Sequence, residues 1–254
     1  MKRWSEYEIN FMKEHYGVDL YAKDIAEILG RTHDSVFSKA RQVGLSAPYG
    51  GRWSKIKVNY DVFERIDTPE KAYWFGFLKA DAYISENGFA LELKKEDKYV
   101  LQKFAGFIGL NKEPVERKGR NSAYLCIYQK QIYDAFKKAK LKDNNIPVFE
   151  DDGLFKYFLR GLIDGDGCVY IDKRSENIGW CLYGDKKLLS EVKNKLESLG
   201  FDLGKINDAR GEQNCRIGMV GNKKALSFLK WLYDGREDLA LKRKKNIVKK
   251  FIGD

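Results

Sequence analysis

Residues 161–167 read GLIDGDG and residues 76–82 read GFLKADA, and the likeness of these two short stretches points to a fold that repeats itself. Each closes an apolar run, Leu159–Asp166 in one case and Tyr73–Asp81 in the other. Placed on helices, Gly76 and Ala80 fall one turn apart on one face, as do Gly161 and Gly165. Small residues at that spacing let two helix backbones approach closely, so these four positions are expected to form a direct helix–helix contact. Asp81 and Asp166 would then stand side by side where the helices end. A helix C-terminus carries partial negative charge, which makes two acids there doubly unfavourable unless a cation joins them. Magnesium is the plain candidate, since hard cations prefer carboxylate oxygen and phosphate. A metal shared between two carboxylates can serve phosphodiester cleavage. The plainer alternative is that the glycines only pack and that DGDG only stops a helix. Its weight drops when the pattern occurs twice in matched repeats.

The repeat extends outward from the two motifs. The first copy runs AYWFGFLKADAYIS (72–85), GFALELKKEDKYVLQKFAGFIGL (88–110) and AYLCIYQKQIYDAFKKAKL (123–141). The second runs KYFLRGLIDGDGCVYID (156–172), IGWCLYGDKKLLSEVKNKLESLGF (178–201) and CRIGMVGNKKALSFLKWLY (215–233). Both give the order helix, two strands, helix, two strands, helix. That order fits an α+β body in which helices cover one face of each antiparallel sheet and leave the other face for a partner.

Upstream, Trp4–Leu45 has helical spacing throughout: Ile9, Met12 and Tyr16, then Ile25, Ile28 and Leu29, then Val36, Ala40 and Val43. Three short helices are expected. Ser5 with Glu8 makes a capping box, Thr32 or Asp34 can cap the third helix, and Gly17, Gly30 and Gly44 sit where helices should stop. The stretch SAPYGGRWSK (46–55) has no apolar periodicity and marks a linker, and KDNNIPVFEDDG (142–153) marks a second break. The expected organisation is a small helical module at 1–47, a linker at 48–69, a first half at 70–145 and a second half at 146–254.

The chain carries 47 Lys and Arg against 37 Asp and Glu, a net charge of +10. Residues 1–50 hold seven of each sign, so the excess lies entirely downstream, where a polyanion would be met. Cys126, Cys168, Cys181 and Cys215 are widely spaced and only His15 and His33 could assist them. A structural zinc site or disulfide framework is therefore not expected. The charged opening MKRWSEYEIN and the absence of a long apolar run argue against secretion and membrane insertion. The expectation is a protein of a reducing interior: cytoplasm, phage-infected cell or organelle.

GFLKADA and GLIDGDG resemble the two signature helices of a single-chain LAGLIDADG homing endonuclease, over about residues 70–250. The segment REDLALKRKKNIV (236–248) resembles that family's basic closing segment. The resemblance implies a pseudo-twofold pair of αββαββα halves with saddle-like antiparallel sheets, each lying in a DNA major groove. It also implies a magnesium-dependent, double-strand DNA endonuclease that works as a monomer on a long asymmetric target and is carried by an intron or mobile element. Asp81 and Asp166 match the motif's final acid, the catalytic metal ligand, with backbone near Ala80 and Gly165 completing the metal site.

The motif's earlier acid is Asp164 in the second copy but Lys79 in the first, and its closing glycine is Gly167 in one and Ala82 in the other. An alanine held in a left-handed turn would cost on the order of 1 kcal/mol. The family's active-site lysine falls on Lys94 by position, with Lys95 as neighbour. In the second half, Lys173 and the pair Asp185 and Lys186 stand nearest that role. A pattern of Asp81 with Glu92-Leu93-Lys94 also fits a loose restriction-type nuclease signature, which leaves the second motif without a purpose.

Base and phosphate contacts are expected from alternate strand residues and adjoining loops: Tyr83, Ser85, Arg117 and Arg120 in the first half. In the second half they are Tyr170, Asp172, Lys173, Arg174, Asn207, Arg210, Gln213 and Arg216. The N-terminal stretch, with Trp4, IAEILGRT and SVFSKARQVGL, resembles a Myb/SANT-like helix-turn-helix. That resemblance places His33, Ser35, Ser38, Lys39 and Gln42 near DNA. A three-helix bundle for protein contacts is the alternative, and the module's zero net charge favours it. The competing function for the whole chain is a DNA-binding regulator, or an intron RNA maturase, that kept this scaffold without cleavage.

Overall fold

The computed structural model describes residues 3–16, 20, 22–45, 58–208 and 214–252. The N-terminal helices are α1 (Glu6–His15), α2 (Ala22–Leu29) and α3 (His33–Gln42). The expected capping box is present: the Glu8 amide donates to Ser5 Oγ at 3.2 Å and the Ser5 amide donates to Glu8 Oε2 at 2.8 Å. Thr32, not Asp34, caps α3, accepting from the Ser35 amide at 3.3 Å. Gly30 (φ +59°) and Gly44 (φ +74°) end α2 and α3 in the left-handed conformation that glycine adopts without strain. Gly17 lies outside the described residues, as does the expected linker 46–55. Met12, Ile25, Val36 and Ala40 close a small core of their own. Arg31 fastens its edge, stacking 3.9 Å from the Trp4 ring centroid and donating to both Glu8 carboxylate oxygens.

The larger body begins inside the segment expected to be linker: Val62, Phe63 and Ile66 are buried in its core. Its first half contains α4 (Pro69–Asp81), β1 (Tyr83–Ser85), β2 (Gly88–Lys94), α5 (Lys98–Phe107), β3 (Val115–Glu116), β4 (Ser122–Ile127) and α6 (Lys130–Lys138). The second half repeats the order with α7 (Leu154–Asp166), β5 (Gly167–Ile171), β6 (Ile178–Gly184), α8 (Lys186–Ser198), β7 (Asn207–Asp208), β8 (Cys215–Val220) and α9 (Lys224–Tyr233). A further helix, α10 (Lys242–Ile252), follows. Both sheets are four-stranded and antiparallel, in the orders β1-β2-β4-β3 and β5-β6-β8-β7. The α+β architecture with two αββαββα copies and N-terminal helices is therefore as the sequence pattern predicts.

Strand alternation decides which side of each sheet is dry. Phe89 and Leu91 on β2 pair with Ile127 and Leu125 on β4, and all four are buried. Trp180 and Leu182 on β6 face Val169 on β5 and Ile217 on β8 in the same way. With a side-chain period of two, Tyr83, Ala90, Glu92 and Tyr124 then share the opposite face of the first sheet. Tyr170, Cys168, Tyr183 and Arg216 share that of the second. Helices pack against the sheets, and Tyr83, Tyr124, Tyr170, Tyr183 and Arg216 on the outer faces are exposed or half-buried.

Candidate active site

The site begins with the contact between α4 and α7, the most extensive between any two elements of the fold. A Cβ on Gly76 would overlap the Phe158 carbonyl oxygen, and one on Gly161 would overlap the Tyr73 carbonyl and lie 2.7 Å from the Phe77 amide nitrogen. One on Gly165 would strike the Ala80 methyl and come within 3.3 Å of Asp81 Oδ2. The four small residues therefore sit at the contact, where nothing larger fits between the backbones.

This approach brings the two helix ends together. Burial raises the Asp81 carboxyl to about 6, reinforced by the charge of Asp166 and opposed by Lys244, Lys142 and Arg243. Burial likewise raises the Asp166 carboxyl, against the pull of Lys142 and Lys244. Asp81 thus feels the charge of Asp166, and burial at the ends of two helices holds both carboxyls up.

Two lysines hold these ends. Lys142, just after α6, donates through Nζ to the Leu78 carbonyl at 3.2 Å and the Lys79 carbonyl at 3.0 Å. Lys244, on α10, donates to the carbonyls of Ile163 at 2.6 Å, Asp164 at 2.7 Å and Gly167 at 2.7 Å. Each ammonium donates to carbonyls at a helix end, and each places its charge beside both acids. Burial lowers both ammonium groups, while the carboxylates nearby oppose that. Neither lysine stands out in the sequence, because each arrives from a segment remote from the motif it caps. The only signal was their place in basic stretches, Lys142 just after α6 and Lys244 within REDLALKRKKNIV.

Lys94 is placed elsewhere. It ends β2 opposite Ser122, four residues beyond Ala90, which is the partner of Tyr83. At about 3.3 Å per residue that is roughly 13 Å along the strand. Its side chain is 63% exposed, with Glu96 at 4.0 Å. Lys95 pairs with Glu116 at 2.7 Å. The length of β2 thus carries both lysines away from the acids. Glu92, the remaining member of the restriction-type pattern, is bound to Arg117 and Ser122. In the second half Lys173 is exposed, and Asp185 caps α8 by accepting from the Lys187 amide at 2.8 Å.

The two departures from the motif are accommodated by the fold. Buried Asp164 accepts from Tyr233 Oη at 2.8 Å, Tyr73 Oη at 3.0 Å and the Leu241 amide at 2.7 Å. Burial raises its carboxyl, and Lys244 and these donors counter that. Lys79 makes the converse bonds, donating to the carbonyls of Leu141 at 3.2 Å and of Asp143. One copy docks the following segment through an acceptor and the other through a donor. The expected left-handed turn is absent: Ala82 has φ −76° and Gly167 φ −95°, both extended. The expected strain at Ala82 therefore does not arise. Gly167 is tied to its position by space, since a Cβ there would lie 2.6 Å from the Ile163 carbonyl and 2.9 Å from that of Cys181.

Buried Arg160, conspicuous beside the motif, organises the approach to α10. Its guanidinium donates to the carbonyls of Leu232, Asp234, Gly235, Arg236 and Leu239, fixing the loop that delivers Lys244.

The residues expected on DNA scatter over the outer faces and their margins. Tyr83 and Ser85 lie on β1, with Tyr83 69% exposed. Arg117 stacks on Tyr124 and pairs with Glu92, and Arg120 is exposed in the next turn. Arg216 sits between two tyrosines, with Nη2 3.4 Å from Tyr170 Oη and its Cζ 6.0 Å from the Tyr183 ring. Its Nε is buried without a hydrogen-bond partner. Asn207 is exposed on edge strand β7. Asp172 is engaged in its own turn, accepting from the Arg174 and Ser175 amides, while Arg174 is exposed. Arg210 and Gln213 fall outside the described residues. In the N-terminal helices Ser38, Gln42 and His33 are exposed, and Ser35 and Lys39 are half-buried.

Residues 156–230 match the family model described as a LAGLIDADG-like domain. A search of curated proteins gives no match. Among solved structures, the fold is similar to that of the I-LtrWI LAGLIDADG homing endonuclease bound to target DNA, with 12% identity and a TM-score of 0.50 over 73% of this chain and 91% of that one. It is similar to the LAGLIDADG meganuclease I-CpaMI bound to uncleaved DNA at the same identity and TM-score, over 73% of this chain and 90% of that one. The chain has the LAGLIDADG homing endonuclease fold.

Proposed function

We propose that this protein is a site-specific double-strand DNA endonuclease whose phosphodiester chemistry is centred on Asp81 and Asp166. The observation that carries this is the meeting of two raised carboxylates, one from each copy, at the ends of α4 and α7 beneath Lys142 and Lys244. A divalent cation such as Mg2+ suits two carboxylates with main-chain oxygens near Ala80 and Gly165. Among the described residues no three His, Cys, Asp or Glu side chains cluster, so backbone and phosphate oxygens would complete its shell. When bound, the ion would lower the cost of charge building on a phosphate during hydrolysis.

The chain's own groups set the conditions for that step. Asp81 and Asp166 supply negative charge from fixed helix ends, and Lys142 and Lys244 hold those ends while offsetting charge nearby. The outer sheet faces supply a surface for duplex DNA, with the N-terminal helices as a second, tethered contact that raises effective concentration. Lys79 and Ala82, the features that favour a non-cutting regulator or maturase, are both accommodated by hydrogen bonding and backbone conformation.

The test is cleavage of a randomised duplex pool by the purified protein with Mg2+, followed by the recovered target. Both strands of the target are expected to be cut, and Asp81→Asn or Asp166→Asn should stop cutting while binding persists. Binding without cutting in any divalent metal would assign the regulator reading instead. Robust cutting by Asp166→Asn would overturn the paired site.

A further inference from the structure

Cys168 on β5 and Cys181 on β6 are directly opposed in the antiparallel register. Both point to the outer face, since Val169 and Trp180 beside them point into the core. Gly218 is the β8 neighbour of Cys181, and the Arg216 and Tyr183 side chains reach the Cys181 thiol from the adjoining positions. Cys168 is exposed and Cys181 is buried. The two other thiols lack this arrangement. Cys126 stands opposite Ala90, and Cys215 stands between Gly184 and Asp208, its thiol donating to Asp208 Oδ1 at 3.1 Å.

We infer that Cys168 and Cys181 form an oxidisable dithiol that closes into a cross-strand disulfide and so regulates the candidate active site. Directly opposed residues of an antiparallel pair have Cα atoms about 4.5–5.5 Å apart, inside the roughly 4.4–6.8 Å that a disulfide spans. Cys168 Sγ now lies 3.9 Å from the Val169 carbonyl, and rotation about its Cα–Cβ bond turns it towards β6. A peroxide supplies the oxidant. It oxidises the exposed Cys168 thiol to a sulfenic acid, releasing one water. The Cys181 sulfur then displaces the hydroxyl, forming the S–S bond and releasing a second water. A dithiol reductant reverses the reaction by exchange.

The position of the pair gives the bond its consequence, and here the inference rests on the endonuclease reading. Cys168 is two residues beyond Asp166 and next to Gly167, whose carbonyl accepts from Lys244; Lys244 also lies within electrostatic range of Cys168. A disulfide needs Cβ atoms about 3.8 Å apart, against roughly 4.5–5.5 Å for an opposed pair. Closing it pulls the start of β5 towards β6, and with it the end of α7.

The experiment treats the whole protein, without DNA, with hydrogen peroxide, then blocks free thiols and maps the peptides by mass. The expected product links the Cys168 and Cys181 peptides, leaves Cys126 and Cys215 blocked, is reversed by dithiothreitol and is absent from Cys168→Ser and Cys181→Ser. Oxidation of Cys168 with Cys181 still blocked, or a bond to Cys126 or Cys215, overturns the pairing. Cleavage is then compared before and after peroxide, and a loss of roughly tenfold or more is expected in the wild type, restored by reductant. A disulfide that forms without changing cleavage overturns the regulatory part. Because the crosslink is read without DNA, a protein that forms it but cuts nothing refutes the endonuclease reading and not the thiol pair.

Discussion

Lys142 and Lys244 are counterparts: each ammonium donates to the carbonyls two and three residues before its motif's final acid, Lys142 at Leu78 and Lys79, Lys244 at Ile163 and Asp164. Methionine keeps the length of these side chains and removes the donor and charge. Lys142→Met and Lys244→Met are each expected to lower cleavage by about 10²–10³-fold with DNA binding retained, the scale of a lost preorganised donor. Lys244→Met should also unfold earlier, by roughly 2–4 kcal/mol, because the buried Asp164 and Gly167 carbonyls lose this donor. Single-turnover cleavage and thermal melts check both effects.

Restoring the motif's acid in the first copy is expected to do harm. Lys79→Asp would set a carboxylate against the Leu141 and Asp143 carbonyls that now accept from Lys79. A loss of roughly 2–4 kcal/mol is expected, since acceptors would face acceptors in a half-buried place. Denaturant melts of Lys79→Asp and Lys79→Met separate this repulsion from mere loss of the bond.

Glycines in this body differ sharply in what they tolerate. Gly161→Ala places a methyl on the Tyr73 carbonyl and Phe77 amide and should cost about 3 kcal/mol or more, as severe overpacking does. Gly106→Ala, on α5 with nothing within 4 Å, should stabilise by roughly 0.4–1 kcal/mol. Equal melting temperatures for the two variants would contradict the close backbone approach.

The acids predict a pH effect of definite sign. An unfolded aspartate ionises near pH 4, while Asp81 in the fold is raised to about 6 by burial and by Asp166. Between these values the native state holds a proton that the unfolded chain has released, so this contribution to stability falls as pH rises from about 4 to about 6. Asp166 acts in the same direction. In metal-free protein, wild type should therefore lose stability relative to Asp81→Asn across that window. Adding Mg2+ at neutral pH should recover more for wild type than for the variant.

Much of this was legible in the sequence because it rests on local pattern. Helix, strand and cap positions follow from apolar period and from residues such as Ser5 and Thr32, and the close α4–α7 contact follows from Gly76, Ala80, Gly161 and Gly165. The lysines that stand beside the two acids were not legible. Position along β2 favoured Lys94, whereas the cations beside the acids, Lys142 and Lys244, come from 64 and 80 residues away from the Leu78 and Asp164 carbonyls that they cap. No local rule connects residues so far apart in the chain. Lys79 misled for the related reason that its partners, the Leu141 and Asp143 carbonyls, are set by tertiary docking.

Each copy carries its own capping lysine, Lys142 beside Asp81's helix and Lys244 beside Asp166's. A chain divided between Asn145 and Asp151 would leave each fragment with one acid and the ammonium that steadies it. What each fragment would lack is the other's glycine-lined helix and the bonds that cross between the halves, such as Tyr73 to Asp164 and Arg243 to Asp97. Chemical equipment in this molecule is thus held separately by its halves, while assembly is held in common, an arrangement under which halves from different chains could be exchanged and still complete one another.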